Sequence, residues 1–169
     1  STLKAEGLVD DNDILVRGVA IALQNMASLS SGPEQMTRFH CKYPPAMTIS
    51  DYLGRIRRFF GCSASCYVVS LLYIDRLIKI NSAITFSPLS SHRLIIVAIT
   101  LAAKFHEDTF YSNKYYAKVG GVPMRELNML EHCFLQMVGW KLSVSLEEYE
   151  MYADLARKAA TPKIANDYQ

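Results

Sequence analysis

The chain has 169 residues, half of them apolar and a fifth charged, and Gly and Pro together supply only 14. That balance fits one packed, turn-poor domain with a single core and excludes disordered and collagen-like chains. Eighteen Lys and Arg against 16 Asp and Glu leave a formal charge of +2, too little for the basic footprint that nucleic-acid binding requires.

Along residues 11–30, Leu15, Val19, Leu23 and Met26 fall on one helical stripe, with Asp11, Asn12 or Asp13 available as N-cap. Ser30 to Pro33 break the pattern, and 34–45 reads as an ordered connector ending in two prolines. Ile49, Tyr52, Leu53, Ile56, Phe59 and Phe60 then repeat at three and four behind a Thr48 cap, which predicts an amphipathic helix stopped by Gly61. Ser63 offers the next cap, and Tyr67 to Ile80 is apolar on most sides. From Leu94 to Phe105 the β-branched residues favour a strand on propensity, but the length and three alanines argue for a helix surrounded by other helices. At about half a membrane span, its apolar run is expected to be core rather than a membrane anchor. Residues 112–119 form a short predicted helix closed by Gly120 and Gly121, and Pro123 sits where a first helical residue would. Met124, Leu127, Leu130, Phe134, Met137 and Val138 give the next stripe, ended by Gly139. Ser145 and Glu148 make a capping box before a last stripe of Leu146, Tyr149, Tyr152 and Leu155 and a polar tail. The expectation is an all-α fold.

Enzymatic chemistry finds little support. None of the four histidines has Glu three residues before it, as a di-iron bundle needs, and His106-Glu107 lacks the second histidine of a zincin helix, since position 110 is Phe. Cys62-x-x-x-Cys66 with His40 and Cys41 does not have the spacing of a common zinc site, and no glycine-rich phosphate loop occurs. The expectation is therefore no enzyme, no metal, no cofactor and no small-molecule substrate. Without a visible export signal, Cys41, Cys62, Cys66 and Cys133 are expected to be reduced thiols of an intracellular protein, nuclear or cytoplasmic.

Phe39-His40 with Pro44-Pro45, then ISDYLGRIRRF, YIDRL, HRLIIVAITLAAKFHED, YYAKVGG and LEHCFLQMVGWKLSV, in this order over about residues 39 to 152, resemble the cyclin box. Within that superfamily the set is most similar to P/U-type cyclins, relatives of the phosphate-responsive cyclins. The resemblance implies a five-helix bundle with a central buried third helix. The box is expected over 47–144, with a helix and connector at 1–46 and a helix and tail at 145–169 flanking it. It also implies a non-catalytic regulatory subunit that binds a cyclin-dependent kinase at a helix resembling the PSTAIRE element. The alternative is a nucleic-acid-binding, cyclin-like transcription-factor domain, against which the near-neutral charge counts.

By resemblance, the kinase-contacting lysine falls on Lys104 and the contacting glutamate on Glu131, with apolar contacts on Phe105, Leu135, Trp140 and Leu142. The residues themselves single out one of these: Leu135 lies about 110° from the core stripe of its helix, exposed unless it packs under Trp140 or the last helix. Lys104 and Glu131 also fit a solvated helix end or an internal salt bridge, and replacing either is expected to leave melting nearly unchanged. Asp75 matches a carboxylate that cyclins pair with a first-helix arginine, here Arg55 or Arg57. Thr48 to Leu53 replaces the arginine motif of mitotic cyclins, so no substrate-docking groove is assumed.

Overall fold

A computed structural model describes residues 9–162, which form seven α-helices and, among the described residues, no strand. Helix α1 (Asp11–Leu29) is capped by Asp10, whose carboxylate accepts from the Asn12 N–H, one residue before the three candidates considered from the sequence. α2 (Ile49–Phe60) starts from Thr48 and ends at Gly61, where φ of 65° is the left-handed turn a residue without Cβ takes readily. α3 (Ala64–Ile80) begins after Ser63, but the Ser63 hydroxyl donates to Glu107 rather than capping its own helix.

α4 (Ser91–His106) is the centre. Leu94 through Ala103 are all buried, as an all-round apolar helix must be, and α3, α5 (Asn113–Gly120), α6 (Met124–Met137) and α2 pack around it. Gly121 takes the left-handed conformation that closes α5, whereas Gly120 is still helical. Gly120 serves a different need: a Cβ there would stand 2.5 Å from Ile96 Cγ1. Pro123 is the N-cap of α6, not its first helical residue.

α7 (Leu146–Ala160) carries both halves of the capping box, with the Ser145 N–H donating to Glu148 and the Glu148 N–H to Ser145 Oγ. Its buried face is not the expected large-residue stripe. Leu146 and Leu155 are exposed, and Ala153, Ala156 and Ala160 are buried instead. The reason is the approach of α1: a Cβ on Gly18 would lie 1.8 Å from the Ala156 carbonyl oxygen, so the two backbones touch and only small side chains fit between them. The polar tail after residue 162 lies outside the described residues.

The connector between α1 and α2 has no regular structure but is pinned to the bundle. Phe39 is fully buried against Phe134, and the Cys41 N–H donates to the Leu89 carbonyl at 2.7 Å. Buried His40 lies between Thr37 Oγ1 at 2.7 Å and Glu34 at 3.0 Å, and Glu34 also accepts from the Ser87 hydroxyl.

Candidate functional site

The last turn of α4, the middle of α6 and the segment that follows α6 converge on one shallow depression. It is lined by Lys104, Phe105, Glu131, Leu135, Trp140 and Leu142, with Leu101 at its base. All six positions carried over from the resemblance therefore stand together, although they span 39 positions of sequence (104 to 142).

Trp140 and Phe105 are 61% and 55% exposed, whereas Leu101 and Leu142 are buried and Leu135 half-buried. Two large aromatic edges thus rise from an apolar floor. Local backbone chemistry fixes the tryptophan. The Trp140 N–H donates to the Leu135 carbonyl at 2.8 Å and the Gly139 N–H to the Gln136 carbonyl, the paired bonds of a Schellman motif with Gly139 left-handed. That motif sets the side chains before and after the turn side by side, so Leu135, already off the core stripe by its angle on the helix, lines the depression beside Trp140. Trp140 itself has φ of 61°, a strained backbone for a residue with Cβ.

At the rim, Lys104 Nζ lies 2.8 Å from Glu131 Oε1 and donates to Asn113 Oδ1 at 3.0 Å. Asn113 Nδ2 donates in turn to Glu131 Oε2 at 2.6 Å and to Asn128 Oδ1. Glu131 is buried and Lys104 about a third exposed, its side chain at 32%. Lys104 and Glu131 are therefore an internal ion pair, held by an amide that the sequence reading missed. An ammonium has three donors and each carboxylate oxygen two acceptor sites. With two donors engaged, Lys104 keeps one for an incoming carbonyl, and Glu131 keeps acceptor capacity for an incoming N–H. The burial of Glu131 also revises the expectation of unchanged melting, because removing its cation strands a buried carboxylate.

The Asp75 assignment is corrected. Asp75 lies 2.8 Å from Lys79 one turn along α3 and accepts from the Tyr152 hydroxyl of α7. Arg57 instead pairs with Asp13 of α1, and Arg55 lines grooves beside Tyr52 and Phe59. The cause is packing: α2 lies against α1, α5 and α4, while Asp75 stands on the side of α3 that meets α7. Asp75 ties the last helix to the bundle.

Among the described residues, no three His, Cys, Asp or Glu side chains converge to hold a metal ion, and no helix is long and apolar enough to cross a membrane. Near the depression, burial lowers the His106 pKa below the usual imidazole range. Glu107 is held below the usual carboxylate range by the Ser63 hydroxyl, and further by the Ser63 N–H.

Comparison with known proteins decides what kind of bundle this is. The family description Cyclin matches residues 14–142. The chain belongs to the cyclin family. It is 38% identical to Cyclin-U4-1 and 41% identical to Cyclin-U2-2 of Arabidopsis thaliana, over 76% and 82% of its length. It is 38% identical to rice Cyclin-P4-1 over 69%. The cyclin is thus of the P/U type, and it spans only 63%, 60% and 55% of the length of these three relatives. The matched region of this cyclin begins inside α1, a helix whose Leu15, Val16, Val19 and Leu23 are buried in the same core as the later helices.

Proposed function

We propose that this cyclin is the non-catalytic regulatory subunit of an intracellular cyclin-dependent serine/threonine kinase, and that it binds the kinase helix carrying the catalytic glutamate. The observation that supports this reading is the depression itself: two exposed aromatics over an apolar floor, with a pre-formed ion pair at the rim that retains a free donor and free acceptor sites. Protein interfaces are built this way, with aromatic anchors at the centre and polar groups around them. A kinase helix laid across the depression would bury Trp140 and Phe105 and meet the Lys104 and Glu131 groups with backbone polar atoms. In kinases that glutamate must reach the lysine that positions ATP, so holding the helix in place completes the catalytic site. Activation is then differential binding: moving a kinase from about 1:99 to 99:1 active takes about 5.5 kcal/mol of preference for the active state. A few hot spots of about 2 kcal/mol each supply that.

The test is reconstitution with a panel of cyclin-dependent kinases, measuring both affinity and phosphorylation rate. Wild-type protein is expected to bind and activate at least one kinase, with Lys104→Ala and Glu131→Ala each weakening the complex by about 2 to 5 kcal/mol, as for buried interfacial charges. Undiminished binding by both variants would refute the assigned face.

A further inference from the structure

At the start of α3 stands a group of side chains that the docking face does not use. Cys62 lies in the short link between α2 and α3, half-buried, and lines an open pocket formed with Phe60, Ala103, Thr109, Phe110 and Tyr116. Cys62 therefore borders a space that small solutes can enter. Behind it, one turn into the helix, Cys66 is buried and donates from Sγ to Glu107 Oε1 at 3.2 Å. The two thiols are neighbours at the start of the helix. Tyr67 is fully buried, its hydroxyl has no partner at ordinary hydrogen-bond geometry, and it stands against the Cys62 sulfur. A buried donor without an acceptor is uncommon and costly. A negatively charged sulfur at Cys62 would satisfy it.

The electrostatics run in the same direction. The neighbouring Cys66 is the largest influence on Cys62 and holds its thiol below the usual range, with the nearby Tyr67 hydroxyl adding to it, against burial and the Glu107 charge. Cys66 is pushed far up by Cys62 and by its own burial. The pair is thus asymmetric in position, with one half-buried thiol at the pocket and one buried thiol behind it, and exposure is one respect in which reactive cysteines differ from inert ones.

We propose that Cys62 is a site of oxidation by hydroperoxides and that Cys66 resolves the product as a Cys62–Cys66 disulfide. In the first step the Cys62 thiolate attacks one peroxide oxygen, the O–O bond breaks, and the departing hydroxide takes up a proton to leave as water. Cys62 becomes a sulfenic acid. The Cys66 sulfur then attacks the Cys62 sulfur, the sulfur–oxygen bond breaks, and the departing hydroxide takes the Cys66 proton to leave as a second water. Two thiols are oxidised to one disulfide and one peroxide is reduced to two waters. The inference does not depend on the kinase reading.

The experiment is a hydrogen peroxide titration of the whole chain, followed by peptide mass spectrometry with dimedone as the sulfenic-acid trap. The wild type is expected to give a Cys62–Cys66 linked peptide before Cys41 or Cys133 is modified. Cys66→Ser, which keeps a hydroxyl to donate to Glu107, should stop at a dimedone adduct on Cys62. Tyr67→Phe removes only an unpaired hydroxyl, so it should fold normally by circular dichroism and oxidise several-fold more slowly at Cys62. Modification of Cys41 or Cys133 ahead of Cys62, or a Cys66→Ser protein with no adduct on Cys62, would overturn the proposal.

Discussion

Replacing Lys104 with Ala tests the rim of the depression in the isolated protein, before any partner is involved. The substitution removes the ammonium 2.8 Å from Glu131 and leaves that carboxylate, whose side chain is 11% exposed, with Asn113 as its remaining close donor. Breaking a fully buried pair costs about 3 to 5 kcal/mol, and breaking a fully exposed one about 0 to 1. With one partner buried and the other about a third exposed, the cost here is about 2 kcal/mol. For a urea slope of about 2 kcal/mol per molar, the unfolding midpoint should fall by about 1 M. Glu131→Leu alone leaves the more exposed Lys104, which water can solvate, and should cost less. The double variant has no stranded charge, so it should be more stable than the sum of the two single effects implies, by about 1 kcal/mol. Equilibrium urea denaturation followed by circular dichroism measures all three. Strict additivity, together with an unshifted Lys104→Ala midpoint, would refute the ion pair as a feature of the folded protein.

Three further outcomes follow from the geometry. Gly18→Ala should destabilise by about 3 kcal/mol or more, beyond ordinary overpacking, because its Cβ would lie 1.8 Å from a backbone oxygen of α7 and the helices must separate; a thermal or urea melt reads this directly. Trp140→Gly should leave the melting temperature nearly unchanged, since relief of about 1 kcal/mol of left-handed strain offsets the lost ring contacts, while kinase capture in a pull-down falls by about 2 to 4 kcal/mol. Glu107 titrates in the folded protein below its ordinary value of 4.5, so its contacts with Ser63 stabilise fully above that pH and are lost as pH falls through the lowered value. Glu107→Gln should therefore show a shallower loss of stability below pH 4.5 than the wild type in acid melts.

The helices were legible because their signals are local. The apolar run from Leu94 to Phe105, the Thr48 cap with Gly61, and the Ser145–Glu148 box each specify an element within a few residues, and each is present. The buried face of α7 was not legible. Leu146, Tyr149, Tyr152 and Leu155 have the right period and greater hydrophobicity, but the choice of Ala153 and Ala156 is made by Gly18, more than 130 positions away in the sequence. At the site, the convergence of six residues was accessible through ordered motifs, and Leu135 through its angle on the helix. Leu101, one turn before Lys104 and Phe105, could have been found from the same helical period. Asn113 carries no such mark: it opens a different helix and reaches Lys104 and Glu131 only through the packing of α5 against α4 and α6. Asp75 failed for the same reason in reverse, since its partner Tyr152 belongs to the last helix and not to the one that the motif pointed to.

The turn after α6 separates where the side chain at position 140 points from what that side chain is. Its direction is imposed by main-chain bonds from Gly139 and Trp140 to the preceding helix, which any residue tolerant of that torsion would make equally well. Position 140 therefore works as an interchangeable tip on a fixed mount. A change at position 140 alone, with Gly139 kept, alters the edge of the depression without rebuilding the bundle that carries it.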